Sequence, residues 1–200
     1  MINLKVYNPP EINIKDILRY AGIGEMTLQT KKLLEECLNE VKDKITYKIC
    51  WSQFSINIKD NIIDMGFAKA KSKDLTINLK ECDSIIIFAA CVGFEIDRLI
   101  AKYTTLSPTK SVIFQAIGTE RVESLCDVFC EEIKEQVKSL GQNIKPRFSP
   151  GYGDLPLDFQ KEVCKVLDCQ RQIGITLNKS LLMSPSKSVT AIIGITRRKA

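Results

Sequence analysis

Apolar residues recur along this chain with two periods, and each change of period marks a new element. Leu34, Cys37, Leu38 and Val41 share one helical face between Met26 and Lys44, while Lys31, Lys32, Glu35, Glu36 and Asn39 fill the other, so the spacing predicts an amphipathic helix. A shorter helix is expected before it, capped by Asn13 or Asp16, running to about Tyr20 and closed by Gly22. From Ile45 the period drops to two: Ile45, Tyr47, Ile49 and Trp51 alternate with polar residues, then the phase slips before Phe54, Ile56 and Ile58. A one-residue slip reverses the facing of every later side chain. A bulge near Ser52 and Gln53, in one long strand or between two short strands of an antiparallel sheet, would keep the apolar set inward. Trp51 is read as core. Asn61 to Gly66 is read as a turn with a short strand, and Ser72 to Leu79 stays open between helix and irregular structure.

The run from Ser84 to Gly93, Ser-Ile-Ile-Ile-Phe-Ala-Ala-Cys-Val-Gly, has no polar alternation at all, which suits a central strand buried on both faces. A helix should follow, with Glu95 and Asp97 in the first turn, where acids favour the helix dipole, and Ile96, Leu99, Ile100 and Tyr103 on its apolar face. The longest periodic segment lies between Pro108, a good first helical residue, and Gly141, a good stop. Its stripe includes Ile113, Ile117, Val122, Leu125, Cys126, Phe129, Ile133 and Val137. Gly118 inside it costs roughly 1 kcal/mol relative to alanine, which points to a close approach by backbone, ligand or a crossing helix. Asp154 or Asp158 is expected to cap a helix using Phe159, Val163, Val166 and Leu167; strands are expected at Ile173–Leu177 and Ser188–Thr196. Strands mixed with long helices, without regular alternation, predict an α+β fold: a mainly antiparallel twisted sheet packed with long helices, in one domain over residues 1–200 with a helical part to about residue 44.

Composition narrows the chemistry. The net charge of +5 is scattered, with no basic run longer than Arg197-Arg198-Lys199, so nucleic-acid binding gets no support. No basic head followed by an apolar core opens the chain, and no apolar run nears the roughly 20 residues that span a bilayer; a cytoplasmic location without a membrane partner is expected. The eight cysteines fall mainly in apolar periodic stretches and are read as reduced packing residues. There is no histidine and no Cys-x-x-Cys, which excludes Ser-His-Asp and Cys-His catalysis and argues against a metal site. Gly22-x-Gly24 is no dinucleotide fingerprint, since no strand precedes it and no third glycine follows.

One stretch gathers candidate chemistry: Lys145-Pro-Arg-Phe-Ser-Pro-Gly-Tyr-Gly-Asp-Leu-Pro156. Three prolines and two glycines make it irregular and stiff. Arg147 offers a planar fork for a carboxylate or phosphate, and Tyr152 a flat face with a polar tip. On composition alone, a solvated connection between helices ranks ahead of a small-molecule site, because most proline- and glycine-rich loops are only connections.

Four stretches in order change that balance: Phe88-Ala-Ala-Cys-Val-Gly-Phe-Glu-Ile-Asp-Arg98; Leu106-Ser-Pro108 with the Ala116–Asp127 segment; Arg147-Phe-Ser-Pro-Gly-Tyr152 followed by Gly-Asp-Leu-Pro156; and Met183-Ser-Pro-Ser-Lys-Ser-Val-Thr-Ala-Ile-Ile-Gly194. Together they resemble the activation domain of vitamin B12-dependent methionine synthase in a short stand-alone form. The resemblance implies an accessory S-adenosylmethionine-binding protein, inactive alone, for reductive remethylation of cobalamin carried by a partner. That partner would be the methionine synthase or another corrinoid protein, with a flavodoxin-like or other electron donor. By the same resemblance Arg147 pairs with the ligand carboxylate, the Ser149 backbone hydrogen-bonds it, Tyr152 lies near the sulfonium, and Gly151 counts among the adenosylmethionine-binding residues. The family's acidic residue behind the ligand falls on Ser124, with Glu123 adjacent and Asp127 nearly a turn away; its N-terminal Asp-Trp contact has no match here, and Asp154 is a candidate substitute. The alternative is a non-catalytic module that docks on a corrinoid protein without adenosylmethionine. A third reading, an independent methyltransferase, lacks a glycine-rich strand-turn-helix and an evident general base.

Overall fold

The computed structural model describes residues 1–197; Arg198 and Lys199 of the basic tail lie outside the described residues. In chain order the elements are β1 (Asn3–Tyr7), α1 (Ile14–Tyr20), α2 (Leu28–Val41), β2 (Tyr47–Ser55), β3 (Asn57–Lys59), β4 (Ile62–Asp64), β5 (Lys69–Lys71), α3 (Lys73–Asn78), β6 (Cys82–Cys91), α4 (Glu95–Leu106) and α5 (Pro108–Lys138). A 3-10 turn (Leu157–Phe159), α6 (Gln160–Val166), α7 (Cys169–Ile173), β7 (Thr176–Leu177), β8 (Met183–Ser184) and β9 (Ser188–Thr196) complete them.

The main sheet has the order β1-β2-β6-β9, antiparallel throughout. Strand β6 holds the centre, as its unbroken apolar run requires. Ile86, Phe88, Ala90 and Val92 face α5 with Val122, Leu125, Cys126, Phe129 and Ile133; Ile85, Ile87, Ala89 and Cys91 face the other way, onto Leu155, Phe159, Val163, Leu167 and Cys169. The molecule is thus three layers deep, with α5 on one face and α6, α7 and the small β3-β4-β5 sheet on the other. A third apolar cluster joins α1, α2 and α4 to the first half of α5 through Ile17, Leu34, Cys37, Leu99, Phe114 and Ile117.

The two-sided sheet corrects one expectation. No bulge interrupts β2: its register against β6 runs unbroken from Lys48↔Cys91 to Ser55↔Ser84. The apparent phase slip is two apolar sets on opposite faces. Tyr47, Ile49 and Trp51 serve the α5 side, whereas Cys50, Phe54 and Ile56 serve the other, so neither set needs rescuing from water. Trp51 is half-buried against Phe129, ring centres 5.3 Å apart. All eight cysteines are free, six of them buried. Gly118 marks a tight crossing: a Cβ there would lie 2.6 Å from Ile96 Cγ2 of α4 and 2.8 Å from Lys187 Cγ. The open segment after Ser72 is a helix, with the Ser72 hydroxyl accepting from Leu75 N. Residues 173–177 divide between the end of α7 and the two-residue β7.

Candidate functional site

Past the end of α5 the chain returns along the outer edge of β9. Lys145 N donates to Gly194 O at 2.8 Å, and Phe148 and Ile192 exchange two backbone bonds of 2.9 Å. These bonds hold Arg147 over the middle of α5, where Glu123 and Asp127 stand one helical turn apart and hence on one face. Arg147 Nη2 donates to Asp127 Oδ1 at 2.8 Å and to Glu123 Oε2 at 3.2 Å. The cluster is half-open: the side chains of Arg147, Glu123 and Asp127 are 25%, 39% and 70% exposed. Asp127 forms a ridge between two clefts. One, of about 640 Å³, is lined by Arg147, Lys145, Cys130 and Lys134; the other, of about 700 Å³, lies between Ser124, Asp127 and the segment from Pro10 to Lys15.

A second charged group sits one turn back on α5. Glu120 and Arg121 are buried, their side chains 1% and 3% exposed. Burial disfavours the Arg121 cation, but its hydrogen bonds to Glu120 and the Glu120 charge outweigh this, and its pKa is raised. Its remaining donors reach Pro10 O and Glu11 O, each at 2.7 Å, while Glu120 Oε1 accepts from Asn13 N at 2.9 Å. The pair therefore straps the stretch before α1 across α5, making one wall of the larger cleft. Ser124 belongs to the same network: its hydroxyl donates to Glu120 Oε1 at 2.8 Å, so it faces the buried pair.

The loop after Arg147 is tied down at both ends. Tyr152 N donates to Ser149 O, Gly151 N to Leu155 O and Leu155 N to Tyr152 O. Gly151 and Gly153 adopt φ of +87° and +52°, a region costly for residues with a Cβ. Tyr152 is 71% exposed, its ring edge-on to Phe148 at 6.0 Å. Asp154 caps the N-terminus of α3, a correction to its expected capping of the helix that follows it. Its carboxylate accepts from the Ser72 hydroxyl, from Lys73 N at 2.7 Å and from Asp74 N at 3.2 Å. These donors hold its pKa below the usual carboxylate range, the Ser72 hydroxyl most. Asp158 makes no cap either; the 3-10 turn and α6 start without a side-chain cap.

Of the residues singled out from the sequence, Arg147, Glu123 and Asp127 converge on one corner. Ser124 borders it with its hydroxyl turned away, and Asp154 is engaged with α3. Sequence reasoning missed Glu120, Arg121 and the Pro10–Asn13 strap. A signal was present: Ile113, Ile117, Arg121 and Ser124 are spaced three or four apart, so a charge occupies a position where the apolar stripe calls for burial.

The sequence model described as "Vitamin B12 dependent methionine synthase, activation domain" matches residues 72–199. This chain belongs to that family. The matched span of the activation domain contains Glu123, Ser124, Asp127, Arg147 and the whole Ser149–Asp154 loop, whereas the Pro10–Asn13 strap precedes it. A solved structure, "Crystal Structure of the MetH Reactivation Domain bound to AdoHcy", shares its fold, with a TM-score of 0.69 at 14% identity over 97% of this chain and 78% of that one. No curated protein matches this activation-domain chain.

Proposed function

We propose that this protein binds S-adenosylmethionine in the groove across α5 and presents it to a corrinoid protein whose cobalamin needs remethylation. The observation that carries this reading is the corner of one guanidinium and two carboxylates, half-exposed between two clefts. An α-amino acid carries one charge of each sign. Its carboxylate can take the Arg147 fork while its ammonium takes Glu123 and Asp127, so the ligand replaces the internal ion pairs with equivalent ones and leaves no charge unpaired. Exposed Tyr152 supplies an aromatic face for the sulfonium, and the Ser149 and Gly151 backbone shapes the turn beside it. The ligand supplies the methyl group, and an electron donor acting on the partner's cobalamin supplies the reduction. Asp154 is left out of the ligand set because its oxygens serve α3.

A second reading has its own support: Ser124, onto which the resemblance puts the family's acid, is a hydroxyl that donates to Glu120, and Arg147 is already neutralised. A protein so arranged could dock on a corrinoid protein without adenosylmethionine. Calorimetric titration with adenosylmethionine, with and without the corrinoid protein, separates the two. Saturable binding that falls roughly tenfold to a hundredfold in Arg147→Ala supports the first. Corrinoid-protein binding indifferent to adenosylmethionine supports the second, and turnover by the chain alone would contradict both.

A further inference from the structure

The segment carrying Arg147 lies beside Ile192 to Ile195 of β9, toward one end of the sheet. At the other end, where Cys91 pairs with Ser188, a separate cleft of about 510 Å³ opens between the lead into β2, the turn into α4, and α7. Its size is that of a small-molecule site. Four cations line it, Lys44, Lys48, Arg98 and Arg171, against one acid, Glu95. Glu95 is bound to Arg98 at 2.5 Å. Lys44, Lys48 and Arg171 have no ion-pair partner among the described residues. A special backbone feature brings them together: Gly93 has φ of +85°, and a Cβ there would lie 2.8 Å from Thr46 Oγ1. That approach presses the start of α4 against the lead into β2, so cations distant in sequence share one concavity.

Like charges gathered around one concavity raise its potential, and an anion relieves it. Three cations outside any ion pair exceed what one carboxylate neutralises, whereas phosphate groups offer several acceptor oxygens to an arginine fork and to lysine point charges. We propose that this cleft binds a small polyanion carrying two or more phosphate groups, independently of the Arg147 corner. The concave shape and the single exposed aromatic at its rim, Phe94, set it apart from an extended nucleic-acid surface.

The test is a titration of the whole chain with inorganic pyrophosphate, followed by calorimetry and amide NMR shifts. Expected are one saturable site, shifts confined to residues 44–48, 93–98 and 170–174, and weakening as ionic strength rises from about 0.05 M to about 0.3 M. The double variant Lys48→Ala, Arg171→Ala should bind at least about tenfold more weakly, while Arg147→Ala should bind as the parent does. Unchanged far-UV circular dichroism in each variant establishes that it folds. Absence of saturable binding, affinity retained in the double variant, or shifts centred on Arg147 would each overturn the proposal. Since pyrophosphate lacks the amino-acid and adenosine parts of adenosylmethionine, this result stands or falls apart from the proposed function.

Discussion

Two charged clusters stand one turn apart on α5 and use nearly the same chemistry for opposite ends. Glu120 and Arg121 are sealed from water and spend their hydrogen bonds on Pro10, Glu11, Asn13 and Ser124. Arg147, Glu123 and Asp127 are half-open, and their bonds are to one another. The first cluster cannot exchange partners without burying a bare charge, so it builds the wall of the groove. The second can exchange its internal partners for a ligand's charges at little cost. Burial, more than residue type, separates the scaffold from the candidate site.

The largest effect should come from breaking the buried pair. Glu120→Ala is expected to cost about 3–5 kcal/mol in urea unfolding, and to release the amide protection of Asn13. A loss under about 1 kcal/mol would erase the distinction between the clusters. Arg147→Ala should do the converse, changing stability by about 1 kcal/mol or less while removing most adenosylmethionine affinity.

The thiols offer a finer comparison along the same helix. Cys126 is fully buried, and Cys130 lines the smaller cleft. Burial above all pushes the Cys130 thiol up to about 11, and Arg147 offsets this only in part. At pH 8 Cys130 is therefore protonated and should react with iodoacetamide more than about tenfold more slowly than a free thiol. Mass spectrometry of the labelled chain checks this, and labelling at the free-thiol rate would show the cleft more open than described.

The smallest effect concerns Asp154. Its folded-state pKa is depressed, chiefly by the Ser72 hydroxyl and then by Lys73 N. Its contribution to holding the loop on α3 is therefore present above the ordinary aspartate range and is lost as pH falls through the depressed value. Hydrogen exchange at the Lys73 and Asp74 amides should quicken on acidification, and Asp154→Asn should shift that onset. Exchange insensitive to both would separate Asp154 from the cap.

How legible this was differs between fold and site. Strand β6, helix α5 and strand β9 were readable because an unbroken apolar run, a long 3.6-residue stripe and a β-branched run each permit few folds. The false bulge in β2 arose because alternation was read for a sheet covered on one face only, and both faces are covered. Arg147 stood out by its motif in a stiff loop, and the structure brings it to Glu123 and Asp127. The task of Asp154 was not, since it depends on α3, about eighty residues earlier, arriving with its N-terminus exposed. Nor was the inward turn of Ser124, which follows from Glu120 being buried and in need of donors.

The most direct measurement compares adenosylmethionine with methylthioadenosine, which lacks the amino-acid end, in the parent and in Arg147→Ala. The account predicts that the parent prefers the complete ligand by roughly tenfold to a hundredfold and that the preference collapses in the variant. A preference of the same size in both proteins would place the amino-acid grip elsewhere and contradict the central claim.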